Sequence, residues 1–169
     1  MVEMDDVLEI STPAHFKALA HPMRHRILFA LSQQPATISQ LAAGFAVQKG
    51  TVAHHLKVLR EAGIVRVAET RQVRGGTEQY YQRTARRLSA SSPEATAHTG
   101  ALLSAVAEEV TAAVDDPLLM LRHLRLTATQ AQKLAHTLDD LINGEQDAGA
   151  GQPQYGILAS LYRQAPHPA

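Results

Sequence analysis

The stretch Ala46 to Gly63, AVQKGTVAHHLKVLREAG, holds the residues best suited to chemistry. Val52, Leu56 and Leu59 are four and three positions apart, so they share one face of a 3.6-residue helix. Gly50, His54, Lys57 and Glu61 fall on the opposite face, flanked by Lys49, Thr51 and Ala53. Such a helix buries an apolar stripe and presents a small, polar, cationic surface of a size that enters the major groove of DNA. The same periodicity also describes a surface helix of any globular domain, so the neighbours must decide.

The side chains sort by reach. Gln48, Lys49, Thr51 and His54 lie in or beside the first helical turns, where base edges are read. Glutamine suits adenine and lysine suits guanine. Lys57 suits a phosphate. Arg71 and Arg74 fall in a glycine-bearing loop, where arginine meets the DNA backbone or a narrow minor groove. Thr37 and Gln40 open another helix, whose N-terminus attracts a phosphate. His55 lies nearer the Leu56 and Leu59 side, so it is expected to be packed rather than displayed.

Charge agrees with this grouping. The 169 residues sum to zero, but the distribution is uneven. Residues 11–90 carry twelve Lys or Arg against three acids, residues 91–169 carry four against nine, and the first ten residues hold the other four acids. A basic block beside an acidic one suits a polyanion-binding half joined to a half with another task.

The elements that must position these groups can be read in order. Residues 1–10 are expected to be a flexible end or a short helix. Thr12-Pro13 and His21-Pro22 each open a helix, the second running to about Ser32 over Met23, Ile27, Leu28, Phe29 and Leu31. Thr37 with Gln40 forms a capping box for a short helix to Phe45. That helix, the turn and the cationic helix make a helix-turn-helix. After Gly63 the period becomes two: 64–70 and 77–83 read as paired strands around a tip at 71–76. A helix-turn-helix followed by a basic hairpin is a winged helix. The chain is thus expected to be mainly α with a small β wing, an α+β fold. Its parts are a winged unit over 11–88 and a C-terminal extension for dimerisation or regulation over 89–169.

Within the extension, 93–114 reads as a helix with a close-packing face at Ala101, Leu102, Ala105, Val106, Glu109, Val110 and Ala113. Thr127 with Gln130 caps a second helix expected to bury Ala131, Leu134, Ala135, Leu138, Leu141 and Ile142. Leu118–Leu126 and Tyr155–Tyr162 are expected as strands on either side of it, with a helix the alternative for the second.

Two runs, 16–28 (FKALAHPMRHRIL) and 51–65 (TVAHHLKVLREAGIV), resemble the ArsR-type bacterial repressors. With the wing, the resemblance covers residues 12–88. It implies a homodimeric winged-helix regulator that binds double-stranded DNA at a palindromic operator and represses transcription until a signal arrives. Three positions depart from the pattern. Ala46 stands where the turn usually has glycine, at a cost of about 1 kcal/mol if its φ is positive. Gln48 replaces a serine cap, and Lys49-Gly50 replace small polar residues.

Other chemistries fare worse. The chain has no cysteine, which excludes a disulfide framework, a thiolate metal site and thiolate sensing. His136, Asp139 and Asp140 share a helix face and could hold a metal with a symmetry mate, so a metal-responsive sensor remains an alternative. A winged-helix interaction module without DNA readout is another. No phosphate-binding glycine loop, nucleophile elbow or zinc-protease helix is present, so neither an enzyme nor a cofactor is expected. No apolar run approaches the roughly 18 residues of a membrane span. The acidic N-terminus is unlike a secretory signal, which points to the cytoplasm. A small-molecule or protein effector is expected at the C-terminal half.

Overall fold

The computed structural model describes residues 5–89, 96–113, 115, 117–146, 148–149 and 151–164. It divides into two compact units, 1–117 and 118–169.

The first unit begins with a strand, β1 (Asp5–Glu9), where the sequence suggests a flexible end or a helix. It pairs in parallel with β5 (Ala85–Ser89), Val7 beside Arg87 and Leu8 beside Leu88. The Arg87 guanidinium meets the Asp6 carboxylate at 2.9 Å, and Ile10 behind the strand is buried. Helix α1 (Pro13–Leu19) starts at Thr12, whose hydroxyl accepts from the His15 amide. In α2 (Pro22–Gln33), Ile27, Leu28 and Leu31 face the core as their spacing requires, while Met23 and Phe29 are only partly covered.

Two residues, β2 (Ala36–Thr37), lead into α3 (Ile38–Phe45). The capping box forms in full: Thr37 Oγ1 accepts from the Gln40 amide at 3.2 Å, and Gln40 Oε1 accepts from the Thr37 amide at 2.8 Å. Next comes α4 (Lys49–Glu61). A three-stranded sheet in the order β2-β4-β3 follows, with β3 (Val65–Val73) antiparallel to β4 (Gly76–Arg83). The strands reach further than the sequence suggests and leave only Arg74 and Gly75 at the tip. Gly75 turns the chain at φ +108°, a region where a side chain is strained. The bulge is at Ala68, where the register steps from Val67 to Glu69.

Helix α5 (Thr96–Thr111) packs on α1 and α2, so the first unit extends past residue 89. Ala101 and Ala105 are buried as the alanine face predicts, and Arg26 on α2 meets Glu108 at 3.0 Å. The suggested helical residues 93–95 and Val114 lie outside the described ones. The core under these elements is one cluster in which Leu19, Ile27, Val52, Leu56, Leu59, Ile64 and Val65 are almost fully buried.

The second unit departs most from the sequence reading. Its helix α6 (Ala128–Gly144) forms with the expected capping box at Thr127 and Gln130. None of its side chains is buried, however, and Leu141 is 63% exposed. The segments 118–126 and 155–162 form neither strand nor helix. A lone strand cannot satisfy its backbone groups, and each of these segments finds no ladder partner among the described residues. No helix of the described residues is long and apolar enough to cross a membrane.

Candidate nucleic-acid interface

The turn into α4 is set by one residue. Ala46 sits in the left-handed region at φ 54°, ψ 41°, the only non-glycine with positive φ among the described residues. Its amide and that of Val47 close onto the Ala43 and Ala42 carbonyls at 3.2 and 3.0 Å, the pattern of a Schellman stop. An alanine there carries strain that glycine lacks. Ala46→Gly is expected to raise stability by about 0.5–1 kcal/mol, offset in part by glycine's greater freedom when unfolded. Urea melts of the two proteins check this.

Gln48 takes the N-cap position of α4 with extended backbone, but its side chain makes no capping bond. No side chain therefore covers the first-turn amides, of which that of Thr51 donates to the Gln48 carbonyl at 3.1 Å, and no acid in that turn opposes an incoming anion. Val52, Leu56 and Leu59 point into the core, and Gln48, Lys49, Gly50, Thr51, His54 and Lys57 stand exposed. Lys57 lies 3.9 Å from Glu61, a loose surface pair. The helix ends at Gly63, φ +74°, where the Ile64 amide reaches back to the Leu59 carbonyl and the first wing strand begins.

The wing separates its two arginines. Arg71 lies within β3 opposite Glu78, not in the tip. Its guanidinium grips Glu69 through two 2.7 Å contacts and lies 4.5 Å from the Tyr80 ring centre. That grip raises the Arg71 pKa and lowers that of Glu69. Arg74 is at the exposed tip, with no ion pair among the described residues. At the start of α3, Thr37 is buried and its hydroxyl is occupied by the capping box, whereas Gln40 is exposed. A shallow recess joins this helix start to the wing through Ser39, Thr77 and Gln79.

His136, Asp139 and Asp140 are exposed on α6, and the Asp139 carboxylate accepts from Asn143 at 2.7 Å. Among the described residues, no group of three or more His, Asp or Glu side chains is placed to hold a metal ion.

What residue counting does not reveal is how the other histidines gather behind α4. His55 is buried as its helical position suggests, with its ring 4.5 Å from His21 and 5.5 Å from His54. His25 stacks on His98 of α5 at 5.0 Å, and its Nε2–H donates to the Leu19 carbonyl at 2.8 Å. Burial pushes both His25 and His55 down to about 4, with the Arg24 charge adding to the effect. His21 and His98 are lowered by burial as well. The signal in the sequence is helical phase: His25 falls on the core side of α2, three positions before buried Leu28.

Residues 21–67 match the family model described as "Bacterial regulatory protein, arsR family". Over 51 residues the chain is 39% identical to a transcriptional repressor SmtB homolog of Synechocystis, an alignment covering 30% of this chain and 39% of that protein. The chain thus spans about two fifths of the length of that curated relative. A crystal structure of a fragment of a "possible transcriptional regulatory protein" from Mycobacterium bovis is 28% identical, covering 54% of this chain and 85% of that one, with a TM-score of 0.35. A solution structure of a homodimeric winged helix-turn-helix DNA-binding domain from Mycobacterium bovis, a possible ArsR-family regulator, is 29% identical, covering 55% and 74%, with a TM-score of 0.34. The family match spans the second helix, the turn, the cationic helix and the start of the wing, so residues 21–67 are similar to the ArsR-type regulators over the helix-turn-helix itself.

Proposed function

We propose that the protein is a sequence-specific DNA-binding transcriptional regulator of the cytoplasm, a homodimeric repressor that grips a palindromic operator. One observation carries this reading: α4 buries its apolar stripe and leaves Gln48, Lys49, Thr51, His54 and Lys57 open on an uncapped N-terminus. That arrangement suits base reading by Gln48, Lys49, Thr51 and His54, with Lys57 on a phosphate. Arg74 is the wing cation free to meet the duplex, and Arg71 must first yield its contact with Glu69. At α3, the exposed Gln40 Nε2 serves a phosphate, while Thr37 and the Gln40 amide and Oε1 hold the helix start in shape.

A pair of such heads reads two half-sites. The homodimeric Mycobacterium bovis domain supports pairing, and the outward face of α5, with Leu103 exposed beside Ser104 and Ala107, is one surface for it. An effector of the C-terminal half, a small molecule or a protein, would relieve repression. Selection of duplexes from a random pool by the full-length protein tests the reading. Inverted repeats with half-sites about one helical turn apart, roughly 10 base pairs, are expected. Recovery of unrelated sequences alone would contradict it.

A further inference from the structure

The second unit leaves much of its apolar surface in water. Leu118 is 85% exposed and Tyr155 77%, on segments that pair with no strand among the described residues. Between them α6 is amphipathic, yet buries no side chain. A stretch of this size does not hold its fold with such a surface uncovered.

The order of residues on α6 specifies what covers it. Ala131, Ala135, Leu138 and Ile142 form one stripe, spaced four, three and four positions apart, with Ala135 exposed and the other three half-buried. That spacing is the same read in either direction. Turning the helix end over end about the midpoint between His136 and Thr137 sets Ala131 against Ile142 and Ala135 against Leu138. Each small residue then meets a large one, the condition for two surfaces to interdigitate. Leu134 and Leu141 widen the stripe on one side.

Charge selects the same arrangement. Arg122 and Arg125 precede the helix, while Asp139, Asp140 and Glu145 lie at its far end. Ala128 and Asp139 are separated by about 16 Å of helix rise. None of these charged residues forms an ion pair among the described residues. An antiparallel copy brings the basic end of one chain to the acidic end of the other, whereas a parallel copy sets like charges together.

We infer that α6 pairs antiparallel with α6 of a second copy of this chain, about a two-fold axis between His136 and Thr137. The inference names a pairing surface for the dimer on which the operator reading rests. The chain's lack of cysteine makes the test direct. Full-length A131C and I142C proteins are prepared separately, then mixed and exposed to mild oxidant. Antiparallel pairing places the two thiols side by side in the mixed pair, but about 16 Å apart in either matched pair, beyond the reach of a disulfide. About ten-fold more cross-linked dimer is expected in the mixture than in either protein alone. Equal cross-linking in all three samples, cross-linking of A131C alone, or none in the mixture would each overturn the pairing. DNA selection by the same proteins is read separately: cross-linking without operator recovery removes the regulator reading, and operator recovery without cross-linking removes this pairing.

Discussion

Lowering the pH from 8 to 5 is expected to cost the winged unit about 4 kcal/mol of stability, about 2 from each of His25 and His55. Both rings are enclosed, 2% and 8% exposed, and both titrate near 4 in the fold, against 6.5 for a free histidine. The unfolded chain therefore takes up protons at these sites once the pH drops below 6.5, while the fold refuses them until about 4. Stability is complete above 6.5, falls through the interval down to about 4, and is not lowered further by these two groups below it. The surroundings explain the refusal. Arg24 on α2 and His54 on α4 face buried His55 and its exposed neighbour His21, and His98 on α5 faces His25, so each added proton meets positive charge. Urea melts at pH 8 and pH 5 measure the loss, and the double variant His25→Gln, His55→Gln should flatten the dependence. An unchanged midpoint between the two pH values would contradict the burial of these rings in neutral form.

The winged unit was legible because its signals are local. The proline starts at Pro13 and Pro22, the Thr37–Gln40 box and the Gly63 stop each depend on a few adjacent residues, and each forms as read. The buried stripe of α4 follows from spacing alone, and so does the packed position of His55. The strand β1 was not legible. Its acids suggest a solvated end, and its partner β5 lies about eighty residues away, so only the tertiary fold supplies the ladder. Arg71 and Arg74 look equivalent in a glycine-bearing loop. The register that puts Arg71 in a strand beside Glu69 depends on the bulge at Ala68, which nothing local announces. In the C-terminal half, leucine content points to burial, but burial needs a covering surface, and neither α6 nor its flanks find one within the described residues.

The double variant Lys49→Ala, Arg74→Ala is expected to lose about 10³-fold in DNA affinity at 0.15 M salt. Lys49 is exposed at the uncapped start of α4 and Arg74 at the wing tip, and neither has an ion pair among the described residues to hold it back from the duplex. The proposed dimer would lose two cations per protomer, hence four. Each released counterion contributes about 0.9 to the slope of log affinity against log salt. Arg71→Ala should cost less, because Glu69 already balances that guanidinium in the free protein. Neither Lys49 nor Arg74 belongs to the core, so both variants should melt like the parent. The deciding measurement is fluorescence anisotropy of a selected operator duplex across a salt series, parent against double variant. A steep parent line is expected, and a variant line shallower by about 3.6 with the affinity loss given above. Equal affinities and parallel lines would show that the cationic face of α4 and the wing tip do not touch DNA.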